Sequence, residues 1–126
     1  MPPSFRPFTW MDADALAACV YPQSDLELAE LAGLGVSLLI NLHERSHQKQ
    51  ALARHGLDQL HLPVRDLTAP APDQINVALE AIESALAEGR KVVVHCAVGL
   101  GRTGTIMACY FVKLGMAGIV AGAFVY

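Results

Sequence analysis

Val94-His-Cys-Ala-Val-Gly-Leu-Gly-Arg-Thr-Gly104 is the stretch on which the reading of this chain turns. Just before it, Lys91-Val-Val-Val-His95 is an apolar, β-branched run, the kind expected of a strand buried on both faces of a sheet. After it, residues 103–114 read as an apolar helix. Between them, residues 96–102 form a short loop containing glycine. A strand, a tight loop and a helix in this order make an anion site. The loop N–H groups can point inward, and the helix N-terminus adds partial positive charge. Gly99 and Gly101 permit the positive φ values that such turning needs. The Gly-Lys-Ser/Thr of a lysine-type nucleotide loop is missing, so that reading is excluded.

The side chains on this loop suggest a reaction. Cys96 stands where the N–H dipoles that attract phosphate also stabilise a thiolate, the nucleophilic form of a cysteine. Arg102 closes the loop, and its planar fork matches two oxygens of a phosphoryl group. Thr103 is in reach to hydrogen-bond the sulfur and make it a better leaving group. Protonation of the leaving oxygen needs an acid. Asp66, at the foot of the proline-stiffened Leu67-Thr-Ala-Pro-Ala-Pro72 loop, is placed to supply it, although aspartate beside proline is also a common turn residue. Asp73 is better explained as a helix cap. His95 precedes the nucleophile and is read as a structural imidazole bonding loop backbone rather than as a base.

Working outward, β and α signals alternate. Residues 8–11 and 16–20 suggest short edge strands. Ser24-Asp-Leu-Glu27 reads as a capping box opening a short helix. Residues 36–42 read as a buried strand, 46–55 as a helix closed by Gly56, and 57–64 as another strand. A long helix opens at Asp73, with Ile75, Leu79, Ile82 and Leu86 on one face. This order predicts an α/β fold, with a mostly parallel central sheet of about four to five strands flanked by helices.

The bulk properties set limits. The 126 residues fit one domain, residues 1–126. The net charge of −3 gives no nucleic-acid footprint, so attraction for an anionic substrate has to be local. No uncharged apolar run reaches the ~20 residues needed to span a bilayer, and no secretory signal is legible. Cys19, Cys96 and Cys109 do not make a disulfide framework, which predicts a reducing, cytoplasmic setting. Cys19 and Cys109 read as packed hydrophobes, the alternative being that one of them traps an oxidised Cys96. His43, His47, His55 and His61 lack metal-ligand spacing and are assigned to surface or supporting positions. Glu44 and Arg45 either line the site mouth or form an exposed ion pair.

His-Cys-x5-Arg-Thr-Gly, residues 95–104, resembles the active-site loop of the protein tyrosine phosphatase superfamily. Phe8-Thr-Trp, Leu42-His-Glu-Arg45, Asp66-Leu-Thr-Ala-Pro-Ala-Pro-Asp-Gln-Ile75 and Gly104-Thr-Ile-Met-Ala-Cys-Tyr-Phe-Val-Lys113 extend the likeness. Together they resemble the small atypical dual-specificity phosphatases of the VHZ type over most of residues 5–114. The resemblance implies a minimal cysteine-phosphatase fold and hydrolysis of phosphomonoesters through a phosphocysteine. It implies Cys96 as nucleophile, Arg102 as phosphate clamp, and Asp66 as general acid and then base. Phosphate would be held by the backbone N–H groups of Ala97, Val98, Gly99, Leu100 and Gly101. No metal or organic cofactor is implied. The substrate would be a phosphorylated protein or a small phosphomonoester. The neutral side chains of Ala97, Val98 and Leu100 look unlike the lysine-bearing loops of phosphoinositide phosphatases.

One departure stands out. The family pattern continues past the loop helix with an Arg-Pro-x-x-Ile-x-Thr-type segment, whereas this sequence runs Gly115-Met-Ala-Gly-Ile-Val-Ala-Gly-Ala-Phe-Val-Tyr126. Two other readings follow: a catalytically crippled module that binds phosphate or phosphopeptide, or an arsenate reductase-like or sulfurtransferase-like cysteine enzyme. The apolar tail and the last helix also predict an exposed patch and a homodimer.

Overall fold

The computed structural model describes residues 7–98 and 101–115. Five strands, β1 (Phe8–Asp12), β2 (Leu16–Cys19), β3 (Val36–Asn41), β4 (Asp58–His61) and β5 (Lys91–His95), form one sheet in the order β1-β2-β5-β3-β4. Strands β2, β5, β3 and β4 run parallel, and β1 adds antiparallel to β2 at one edge. Among the described residues there are also four helices: α1 (Asp25–Gly33), α2 (Lys49–Arg54), α3 (Pro72–Ala87) and α4 (Gly101–Lys113).

The period-2 geometry of strands divides the core into two halves. Leu16, Ala18, Leu38, Ile40, Val92 and Val94 pack with α3 and α4 on one face. Ala17, Cys19, Leu39 and Val93 pack with α1 and α2 on the other. Both faces of the central strands are therefore covered. That is why β5 reads as continuous valine and why all four residues of β2 are buried.

Several boundaries differ from expectation. Residues 16–19 are not an edge strand but lie between β1 and β5. Their small side chains, Ala17 and Ala18 among them, hid the signal of an interior strand. The helix expected at 46–55 shrinks to Lys49–Arg54, because His47 turns into the core instead. The strand expected at 57–64 is confined to Asp58–His61. Asp73 does not cap α3. Pro72 takes the first helical position, where its missing N–H costs nothing, and Ala71 is the cap residue. Its N–H donates to Gln74 Oε1 at 3.0 Å. At α1, Ser24 Oγ accepts from the Glu27 N–H at 3.1 Å as a cap should. Glu27, however, reaches past Ser24 to the Gln23 N–H at 2.6 Å, so the box is displaced by one residue. Leu114, at the end of the apolar helix expected over residues 103–114, is 47% exposed. The C-terminal tail from residue 116 lies outside the described residues.

Candidate active site

The carboxyl ends of β5 and β3 meet the start of α4, and the site lies in the crevice between them. β5 delivers Cys96 as its first residue beyond the strand. The His95 carbonyl accepts from the Leu42 N–H at 2.8 Å, and the Ala97 carbonyl accepts from the Tyr21 N–H at 2.9 Å. The loop is thus anchored on both sides by chain segments that leave β3 and β2. Cys96 is 2% exposed.

Arg102 lies in the first turn of α4, not at the end of a free loop. Its side chain is buried, and Nη1 donates to the Val64 carbonyl at 2.7 Å. Two carboxylates flank the same guanidinium: Glu44 Oε1 lies 3.5 Å from Nη1 and Asp66 Oδ1 3.6 Å from Nη2. Glu44 and Asp66 are both largely exposed. Arg102 is therefore fixed from below by a backbone carbonyl and faced from the solvent side by acids.

A cleft of about 350 Å³ opens over this arrangement, lined by Asp66, Leu67, Thr68, Cys96, Ala97, Val98, Gly101 and Arg102. The sulfur, the guanidinium and the candidate acid share it. Gly101 does not use positive φ as expected; it is the first residue of α4. A Cβ built there meets nothing within 4 Å, so the missing side chain leaves room rather than relieving strain. Gly99 and Leu100 lie outside the described residues. Thr103 is buried, but its hydroxyl has no hydrogen-bond partner among the described residues. The bond to sulfur expected of it is not made. A buried hydroxyl of this kind costs free energy until it finds a partner.

The acid sits on a strained turn. The Thr68 N–H donates to the Arg65 carbonyl at 3.1 Å, which puts Asp66 and Leu67 at the turn's two central positions. Leu67 has φ +65°, a value that favours glycine. Its N–H donates to Asp66 Oδ1 at 3.0 Å. The Leu67 side chain is 98% exposed, and Val98 is 80% exposed. The two supply an apolar rim to the cleft.

His95 lies just before the nucleophile candidate, at the end of β5. It is wholly buried. Its Nδ1 lies 3.4 Å from the Cys96 carbonyl, which can only accept, so Nδ1 carries the proton. Burial, and then the neighbouring His47, push its pKa down to about 3, so the ring is neutral. Nε2 is then free to accept from His47 Nε2–H at 3.0 Å. His47, for which a surface or a supporting position was expected, is 8% exposed, and burial followed by the Arg45 charge lowers its pKa to about 4. Tyr21 packs against His43, His47 and His95, with ring centroids 4.5 to 5.1 Å away. This cluster buttresses the cysteine loop from behind. Sequence reasoning missed it because its members come from three segments with no shared spacing.

Cys19 belongs to the core half opposite that of Cys96. Burial pushes its thiol pKa up, as expected of a packed hydrophobe. Among the described residues no group of three or more His, Cys, Asp or Glu side chains could hold a metal. No described helix is long and apolar enough to cross a membrane.

Comparison with known proteins bears on this geometry. The family model for the DSP-PTPase phosphatase of polymorphic toxin systems matches residues 19–116. The chain belongs to this family. Its family groups with the small atypical dual-specificity phosphatases of the protein tyrosine phosphatase superfamily, whose members hydrolyse phosphomonoesters with a cysteine. The chain is 32% identical over 111 residues to the phosphatidylglycerophosphate phosphatase PTPMT1 of Arabidopsis thaliana, covering 84% of this chain and 33% of that protein. It is 36% identical over 78 residues to the dual specificity protein phosphatase CDC14C of Homo sapiens, covering 62% of this chain and 17% of that protein. The chain thus spans a third or less of these curated relatives. Among solved structures, Tk-PTP in its active form superposes with a TM-score of 0.81 at 27% identity, covering 94% of this chain and 79% of that one. The five-stranded mixed α/β architecture is the fold of that superfamily.

Proposed function

We propose that this chain hydrolyses phosphomonoesters, with phosphotyrosine-type esters of proteins as the substrate class, and that residues 1–126 act as one phosphatase domain. The observation that carries the reading is the meeting of Cys96, a buried Arg102 and Asp66 around one cleft.

In the first step the Cys96 sulfur, as thiolate, attacks phosphorus. The S–P bond forms as the ester P–O bond breaks, and Asp66 in its acid form gives its proton to the leaving oxygen. Arg102 is already immobilised by Val64. Its remaining N–H groups, shared with Glu44 and Asp66 before substrate arrives, turn to the phosphoryl oxygens. In the second step Asp66, now a carboxylate, takes a proton from water. The water oxygen attacks phosphorus, the S–P bond breaks, and phosphate leaves. Thr103 supplies its unpartnered hydroxyl to the departing thiolate. Backbone N–H groups of the loop hold the phosphoryl group in this scheme, and His95 orients the loop through the Cys96 carbonyl. Neither a metal nor an organic cofactor enters this scheme.

The relatives' printed substrates divide between lipid and protein phosphates. Our choice of protein rests on the cleft. Among its described residues Arg102 is the one cation, and Leu67 and Val98 present apolar rims. An aryl leaving group suits such a mouth better than a polyanionic head group does. A cytoplasmic location is part of this reading and rests on three free cysteines. A homodimer through α4 and the tail is also part of it, supported by half-exposed Val112 and Leu114; light scattering at micromolar concentration tests it.

The test of the reaction is hydrolysis of para-nitrophenyl phosphate in EDTA and a reductant by the wild type and by Cys96→Ser. Activity that resists EDTA and disappears in the variant is expected. A folded wild type with no activity that still binds phosphate would leave a phosphate-binding module instead. Thiol-dependent arsenate reduction exceeding ester hydrolysis would place the chain in the other cysteine chemistry.

A further inference from the structure

A second cavity, about 630 Å³, adjoins the catalytic cleft. The two share Ala97 and Val98, so the cysteine loop is the wall between them. The far side of the second cavity is formed by Val20, Tyr21, Gln23, Glu27, His43 and Arg45.

Arg45 is the unusual member. Its guanidinium lies over the Tyr21 ring, 4.5 Å from the centroid, and among the described residues it pairs with no carboxylate. The nearby acids are engaged: Glu44 faces Arg102, and Glu27 accepts from the Gln23 N–H. The backbone under Arg45 is tied down at three points. Its carbonyl accepts from Tyr21 Oη at 3.1 Å and from Asn41 Nδ2 at 2.8 Å, and its N–H donates to His43 Nδ1 at 2.8 Å. A cation stacked on a buried ring and bolted through its own main chain has already lost much of the freedom that binding would otherwise remove.

We propose that this cavity is a second substrate subsite, in which Arg45 takes the carboxylate of an acidic side chain next to the phosphorylated residue of a peptide. The inference rests on the phosphatase reading for the position of the phosphate and goes beyond it in naming what flanks that phosphate. The cavity's charges select the occupant. One arginine suits one carboxylate. Glu27, already accepting from the Gln23 N–H, keeps one negative charge in the cavity and so opposes a polyphosphate more than a single carboxylate. Val20 and the Tyr21 ring supply apolar surface for an aliphatic stem. His43 accepts the Arg45 N–H at Nδ1, and partial burial with the nearby Arg102 and Arg45 holds its pKa below the usual imidazole value.

The experiment uses three phosphotyrosine peptides of one sequence, carrying Glu, Gln or phosphoserine beside the phosphotyrosine. Each is assayed for kcat/KM with the wild type, Arg45→Gln and Arg45→Lys. The wild type should prefer Glu over Gln by about tenfold, the scale of one charge-assisted contact. Arg45→Gln should bring the ratio to about one. Arg45→Lys should fall between, since lysine keeps the charge and loses the planar stack. The phosphoserine peptide should not exceed the Glu peptide. A Glu-to-Gln ratio near one in the wild type, or a ratio that survives Arg45→Gln, overturns the proposal. Preference for phosphoserine by more than the Glu effect overturns the choice of a carboxylate. Binding of the same peptides to Cys96→Ser, read by fluorescence anisotropy, separates the two readings. Discrimination there without turnover in the wild type leaves the subsite standing and removes the hydrolase reading.

Discussion

The two walls of the catalytic cleft are built differently. The wall of Cys96, Arg102 and Thr103 is core: these residues are 2%, 5% and 1% exposed, set where β5 ends and α4 begins. The wall of Asp66, Leu67 and Thr68 is a surface turn. Its acid side chain is 70% exposed, and among the described residues its own hydrogen bonds reach no further than residue 65. The group proposed to bind the phosphoryl moiety is thus held by the same packing that holds the protein. The proposed proton donor is held by one four-residue turn. Changes in the first wall should register in both stability and turnover, and changes in the second in turnover almost alone.

The largest effect expected is that of Cys96→Ser. The near-isosteric hydroxyl keeps the fold but is a far weaker nucleophile, so turnover should fall by roughly 10⁴-fold or more while phosphate still protects against thermal unfolding. Arg102→Lys sharpens the contrast. Losing the fork should lower kcat/KM on the order of 10²- to 10³-fold. Leaving the buried Val64 carbonyl poorly satisfied should also cost about 1–3 kcal/mol in urea unfolding. Asp66→Asn should lower kcat by ~10²-fold or more on phosphotyrosine and much less on para-nitrophenyl phosphate, with an unfolding midpoint like that of the wild type. A large loss of stability in Asp66→Asn would break the comparison.

Acid should strike the buried wall first. His95 and His47 are neutral in the fold, with pKa values lowered to about 3 and about 4 by burial. Each takes up a proton on unfolding once the pH drops below roughly 6.5. A depressed folded pKa means stability that is whole above that value and declines as the pH falls toward 4. Thermal unfolding between pH 7 and 4.5 should show this decline, and His47→Gln should make it shallower. The smallest effect belongs to Leu67→Gly. Glycine costs an ordinary site about 0.5–1 kcal/mol, but at φ +65° it relieves strain of similar size. The unfolding midpoint should therefore stay nearly unchanged.

What could be read from the sequence follows the same division. β5, the loop and α4 are continuous in sequence, so valine run, glycines, cysteine and arginine announced them together. The long helix was legible from Leu79 and Ile82, although Pro72 rather than Asp73 sets its start. The partners that fix the site come from afar. Val64, which holds Arg102, is separated from it by 38 residues, and His47 from His95 by 48. A carbonyl has no residue-type signature, and a histidine in a polar stretch resembles a surface residue until the fold buries it. β2 failed for another reason: four small or apolar residues give too short a pattern to tell an interior strand from an edge.

The central claim is that phosphate passes through a covalent bond to Cys96, and trapping that bond tests it most directly. Asp66→Asn, supplied with an activated aryl phosphate that leaves without a proton, should form the phosphocysteine and hydrolyse it slowly. Mass spectrometry of acid-quenched, digested protein is then predicted to find one phosphoryl group on the peptide containing Cys96, and none when Cys96 is also replaced by Ser. Steady release of phosphate with no modified peptide, and with turnover surviving Cys96→Ser, would contradict the account.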